Sequence, residues 1–126
     1  MAIRIKQSQV KGIKLSFIEK QGGRCAICKL PLAADKAVLD HDHHTGAVRG
    51  ALHGGCNSLL GKLENNAPRF GVKDIGIFSN GVADYLRVHA VNVTGYEHYL
   101  HRTDEEKRIK RNAAARKKRA ATKEKA

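Results

Sequence analysis

The chain has 126 residues, three Phe, three Tyr and no Trp, and 24 Lys and Arg against 12 Asp and Glu give it a net charge of +12. Two full-sized domains are excluded by that length, and so few aromatic side chains leave a core that calls for a staple, commonly a metal. The charge suits a polyanionic partner, because neutralised phosphates release their condensed counterions.

The opening MAIRIKQSQVKGIK is too charged for the apolar core of a signal peptide, and no stretch is apolar enough over its length to span a bilayer. An intracellular setting without a membrane partner is therefore expected, and with it reduced thiols available to metal. Val10, Ile13, Phe17 and Ile18 recur at helical spacing and Gly22 and Gly23 follow as a stop, so residues 9–21 are expected to be a short amphipathic helix. AVL (37–39) and VRGAL (48–52) read as two strands, joined by a turn at His44, Thr45 and Gly46 in which Gly46 supplies a positive φ. NSLLGKL (57–63) has a helical pattern. Knuckle, hairpin, second knuckle and helix in that order make a small α+β fold built on a ββα finger.

Residues 68–81 are punctuated by Gly71, Gly76 and Gly81 and read as loop. A helix over 81–88 is expected to turn Val82, Tyr85 and Leu86 inward. Thr103 followed by Asp104, Glu105 and Glu106 forms a capping box with acids in the first helical turn, opening a basic helix over 107–119. The charge is concentrated at the ends: residues 1–20 carry five basic and one acidic side chain, and 102–126 carry eleven basic and four acidic. Three segments follow: a stapled core with its leading helix (1–66), a loop and helix open to dimerisation or DNA contact (67–100), and a basic helical tail (101–126). Lys107, Arg108, Lys110, Arg111, Arg116 and Lys117 are the tail's candidate phosphate contacts, and they would carry no sequence information. A merely solvated tail is the alternative.

Cys25-x-x-Cys28 and His53-x-x-Cys56 stand 24 residues apart. Each pair lets a tight turn aim two ligands at one ion, and four ligands complete the tetrahedron that zinc prefers. Such a closed site leaves no place for water, so this Zn2+ would be structural. A redox pair or plain buried thiols are the alternatives for the first motif, and His43 or His44 could take the place of His53. Asp40, His41, Asp42, His43 and His44 follow one another at a strand end. Alternation along the strand sends Asp40 and Asp42 one way, His41 and His43 the other. A divalent cation takes hard oxygen ligands, and an imidazole can accept a proton from water near neutral pH. Asn57, next to a zinc ligand at the helix start, could add its amide oxygen. A second metal site or a solvated polar loop would also explain the run. Carboxylates beside phosphates repel unless a cation intervenes, however, and that favours a catalytic metal.

GGRCAIC followed by LDHDHHTGAVRGALHGGCN resembles the recombination endonuclease VII family of bacteriophage His-Me finger nucleases. The likeness covers about residues 11–66, and GVADYL (81–86) more loosely. It implies a metal-dependent DNA endonuclease of the HNH type that leaves 5′-phosphate and 3′-hydroxyl ends with Mg2+ or Mn2+. Residue by residue it makes His41 the general base, Asp40 and Asn57 the ligands of the catalytic ion, and His43 a phosphate contact or helper of the leaving group. Cys25, Cys28 and Cys56 match zinc ligands; the second knuckle is usually CxxC, so His53 is a departure. Asp42 belongs to the motif without a stated role, and Arg49 could approach a phosphate or be a solvated strand charge. The family includes an intertwined dimer that resolves branched DNA such as Holliday junctions. DNA, duplex or branched, and a second copy of the chain are thus the expected partners. A non-catalytic zinc-stapled nucleic-acid binder, or a basic RNA-associated protein, is the rival reading.

Overall fold

The computed structural model describes residues 2–125; Met1 and Ala126, the outer ends of the first and third expected segments, lie outside the described residues. The chain runs α1 (Val10–Lys20), β1 (Ala37–His41), β2 (Val48–His53), α2 (Gly54–Asn66), α3 (Ile75–Val88) and α4 (Asp104–Lys125), with 3-10 turns at Gln7–Gln9 and Ala67–Phe70. It divides into two units, Met1–Val82 and Ala83–Ala126.

In the first unit, β1 and β2 form an antiparallel hairpin in which Ala37 faces His53, Leu39 faces Ala51 and Asp40 faces Gly50. Phe17 and Ile18 of α1 pack against buried Leu32, Ala37 and Ala51, and this cluster is small. Hydrogen bonds therefore carry much of the docking. Lys14 donates through Nζ to the Ala37 carbonyl at 3.1 Å. Gln21, just past the end of α1, pairs its side-chain amide with β2 as a neighbouring strand would: Nε2 donates to the Ala51 carbonyl at 2.9 Å, and Oε1 accepts the Ala51 N–H at 2.9 Å. A Cβ on Gly50 would come within 3.2 Å of Gln21 Oε1 and 3.4 Å of the Ala26 methyl, so glycine is what lets the helix end and the first knuckle press this close to the strand.

Two expectations fail beyond the hairpin. Residues 68–81 are not a loop, because α3 already begins at Ile75 and encloses Gly76 and Gly81. The overlooked signal is Asp74, whose Oδ1 accepts the Ile77 N–H at 2.9 Å as an N-terminal cap. Each glycine costs about 1 kcal/mol in a helix, less than a cap and an apolar periodicity together supply. Val82, Tyr85 and Leu86 do not turn inward; they are 36%, 66% and 62% exposed. Tyr96 and Tyr99 are exposed as well and lie outside any helix. Periodicity identifies an apolar face but says nothing of what covers it. In the second unit, α4 is longer than the expected 107–119, and the Thr103 hydroxyl caps it by accepting the Glu106 N–H at 3.1 Å.

Gln21→Ala should lower stability by about 1–3 kcal/mol, the cost of leaving partly buried backbone groups of Ala51 without partners. Urea denaturation with zinc saturating would measure it, and a loss below 0.5 kcal/mol would show that water replaces the amide freely.

Candidate active site and metal centre

The first knuckle is a tight turn. The Cys25 N–H donates to the Leu30 carbonyl at 2.9 Å, and the Lys29 N–H returns to the Cys25 carbonyl at 3.1 Å with Lys29 at φ 65°. The second is the junction of β2 and α2, where extended His53 precedes a helix that carries Cys56 in its first turn. The three sulfurs and one His53 ring nitrogen all lie within 4.8 Å of one another. His53 Nδ1 stands 3.3 Å from Cys28 Sγ and 3.9 Å from Cys56 Sγ. Zinc bonds near 2.3 Å to sulfur and 2.0 Å to nitrogen give tetrahedral edges of roughly 3.5–3.8 Å, so the four could hold a zinc ion with little movement. His53 Nε2 lies 2.8 Å from the Pro31 carbonyl. With the ring proton donated there, the Nδ1 lone pair is free to face the sulfurs. His43 and His44, the other candidates for the fourth place, sit in the hairpin turn instead.

Burial pushes the Cys25 thiol up, but the N–H groups of Cys28, His53 and Ile27 outweigh it and bring it down to about 6. Cys56 is pushed up to about 11, by burial first and then by sharing its proton with Cys28 and Cys25. The Pro31 carbonyl, followed by Cys25, raises the His53 imidazole.

Asp40 is the buried charged residue of the described part, 6% exposed. The ladder slips after it: Asp40 faces Gly50 but His41 faces Val48, so Arg49 is the extra residue of a bulge. Bulges re-aim side chains. Arg49 donates through Nε to Asp40 Oδ2 at 2.6 Å and through Nη2 to Oδ1 at 3.1 Å. The far side of the guanidinium holds Glu64 of α2, at 3.1 and 3.0 Å. Hydrogen bonding to Glu64 first, and to Asp40 next, raises the Arg49 pKa further above its usual range. Asp40 and Arg49 line a cleft of about 210 Å3 with Ala26, Ile27, Gly50, Leu52 and Leu60. Leu60 and Glu64 stand three and seven residues after Asn57, so the helical repeat puts Asn57 on the face of α2 that borders this cleft.

His41 and His43 stack in parallel, ring centres 4.8 Å apart and planes 2° apart, exposed at the turn end of the hairpin. Asp42 does not share a face with Asp40, because the strand ends at His41. Its Oδ1 accepts the N–H groups of His44 at 2.7 Å and Thr45 at 3.0 Å, which hold its carboxylate below the usual range. Gly46, at φ 76°, closes the same turn. Asp42 thus shapes the loop that carries the histidines. His41 lines a second cleft with Ile5, Val10, Leu39, Gly46 and Val48. Asp40 and His41 therefore border separate clefts.

Lys107, Arg108, Lys110, Arg111, Arg116 and Lys117 are all exposed on α4, with Arg108 paired to Glu105. Glu64, Gln21 and Pro31 are the site's supporting residues that sequence reasoning missed; for Glu64, the signal was its seven-residue spacing from Asn57.

Residues 3–88 match the family model of recombination endonuclease VII. Two curated relatives are both named Gene 59 protein. The one from Mycobacterium phage D29 is 49% identical over 46 residues, 36% of this chain and 28% of that protein. The one from Mycobacterium phage L5 is 52% identical over 40 residues, 31% of this chain and 24% of that protein. The chain thus spans about a quarter of the length of the curated relatives it matches.

If four ligands close the zinc site, His53→Ala should lose the bound zinc and the hairpin's circular dichroism together, while His53→Cys keeps one zinc per chain. Metal analysis after dialysis checks both. Zinc retained by His53→Ala would remove the histidine from the ligand set.

Proposed function

The chain belongs to the recombination endonuclease VII family, and from that premise we propose that it is a DNA endonuclease of the His-Me finger, or HNH, type. The observation that carries this reading is the placement of Asp40. A carboxylate is buried at the end of β1 beside the α2 face of Asn57, with exposed imidazoles one and three residues further on. A carboxylate and an amide oxygen are hard donors that fit Mg2+ or Mn2+. Bound there, such an ion supplies charge neutralisation at the scissile phosphate and at the departing 3′-oxygen.

The chain's own residues supply the rest. His41, exposed beside the hairpin turn, takes a proton from the attacking water. His43, stacked on it, contacts the phosphate or assists the leaving group, and Asp42 keeps the loop that aims both. The products are 5′-phosphate and 3′-hydroxyl ends. Basic side chains of α4 hold the DNA backbone without reading sequence. One base and one ion per chain cut one strand, so paired cuts in a duplex or a branched junction call for two chains or for two visits by one. The exposed apolar side chains of α3, among them Ile77, Phe78, Val82 and Leu86, offer the surface for a second copy. The site of action is the infected host cell, in keeping with relatives from phages.

One observation favours the rival, a zinc-stapled nucleic-acid binder without catalysis: both oxygens of Asp40 already receive hydrogen bonds from Arg49. Cleavage of supercoiled plasmid and of a four-way junction, with and without Mg2+, separates the two. Wild type should nick in a metal-dependent way, and His41→Ala should lose about 100-fold or more while still binding DNA. Binding without cutting under either Mg2+ or Mn2+ would establish the binder.

A further inference from the structure

The guanidinium of Arg49 is held between two carboxylates on two different elements. Asp40 comes from β1 and Glu64 from α2, and four N–H donations of 2.6–3.1 Å join them. Arg49 reaches this place because it is the extra residue of the bulge. The fork geometry needs a guanidinium, since an ammonium is a point charge and cannot bridge two planar carboxylates edge to edge. Three charges in contact, two negative and one positive, leave the cluster at −1. Each Asp40 oxygen has a second lone pair beyond the one facing Arg49.

We propose that Arg49, anchored by Glu64, is a positioning residue that fixes the Asp40 carboxylate against the Asn57 face of α2 and shares it with the divalent cation. The proposal rests on the nuclease reading and assigns Arg49 a part different from a phosphate contact. Glu64 and Asn57 lie seven residues apart on one helix, so the Arg49 bridge ties the strand that bears one ligand to the helix face that bears the other. Holding both at a set spacing would fix where the cation sits against the scissile phosphate, so the loss of Arg49 is read in kcat rather than in affinity. Glu64 also separates the two roles. Beside a DNA backbone an added carboxylate repels, so an arginine meant for phosphate gains nothing from such a partner, whereas an arginine meant to orient Asp40 gains an anchor.

The test uses the zinc-loaded full chain and the variants Arg49→Gln, Arg49→Lys and Glu64→Gln, each first shown to retain its zinc. Two quantities are read: plasmid nicking resolved into kcat and KM, and Mn2+ binding without DNA, followed by the electron paramagnetic resonance of free Mn2+. Arg49→Gln should lower kcat by about 10–100-fold with KM for DNA within about twofold, the usual cost of losing a group that orients a metal ligand. Its Mn2+ affinity should stay or rise, because a positive charge has left the carboxylate. Arg49→Lys should not restore kcat, and Glu64→Gln should lower kcat in the same direction. A merely structural role would lower Mn2+ affinity and kcat together in a chain that keeps its zinc. A phosphate contact would raise KM in Arg49→Gln and leave Glu64→Gln as active as wild type or better; either pattern overturns the proposal. If wild type cuts no DNA, the nuclease reading fails separately, and the Mn2+ titrations still decide. Binding abolished by Asp40→Asn and kept or tightened by Arg49→Gln supports the shared carboxylate, and unchanged binding in both sinks it.

Discussion

Everything in the first unit hangs on the four-ligand cluster of Cys25, Cys28, His53 and Cys56. Among the described residues the buried apolar set is Cys25, Leu32, Ala37, Ala51, Leu52 and Ala67, mostly small side chains. Such a set removes little area from water and cannot fix a two-stranded hairpin, which is marginal on its own. Structural zinc contributes about 10 kcal/mol or more in small fingers, comparable with the entire stability of a domain. The knuckle before β1 and the one that ends β2 meet at that cluster, where a zinc ion would join them. The beginning of α2 is thereby set directly against the hairpin, and with it Asn57.

From that anchor the functional groups follow by short covalent steps. Cys56 precedes Asn57 by one residue, and His53 ends the strand on which Arg49 and Gly50 lie. The bulge at Arg49 then does what a regular ladder would not, since it brings the guanidinium onto the buried carboxylate of Asp40. Gln21 closes the outer edge of β2 with its amide, so β2 has a hydrogen-bonded partner on each side. Asp40 is buried and bound by Arg49, whereas His41 and His43 are exposed. That division suits the proposed cation ligand and a proposed base that must reach water.

The sequence made much of this legible. Two matched ligand pairs at tight spacing point to a metal site, and helical and strand periodicities placed α1, β1 and β2 to within two residues, whereas α2 runs over Gly54–Asn66 and extends past the expected 57–63 at both ends. What stayed hidden depends on partners distant in sequence. A bulge leaves no mark on a five-residue strand pattern, so the place of Arg49 beside Asp40 was hidden; and alternation alone put Asp42 on the face of Asp40, although one shapes a turn and the other is buried. Arg49 looked like a free cation because nothing local announces Glu64 fifteen residues later. Asp74 capping α3 was readable and was outweighed by the glycines. The burial of Val82, Tyr85 and Leu86 was inferred from amphipathicity alone, which cannot say whether a covering surface lies within the chain.

The central claim, that the zinc-stapled finger presents Asp40, His41 and Asn57 as a hydrolytic site for DNA, is tested most directly by the chemistry of the ends it makes. Plasmid nicked by the zinc-loaded protein in Mg2+ would be treated with DNA ligase alone. The account expects the nicks to reseal, because hydrolysis at the 3′-oxygen leaves a 5′-phosphate beside a 3′-hydroxyl. Nicks that ligase cannot seal, or the absence of any metal-dependent nick, would contradict it.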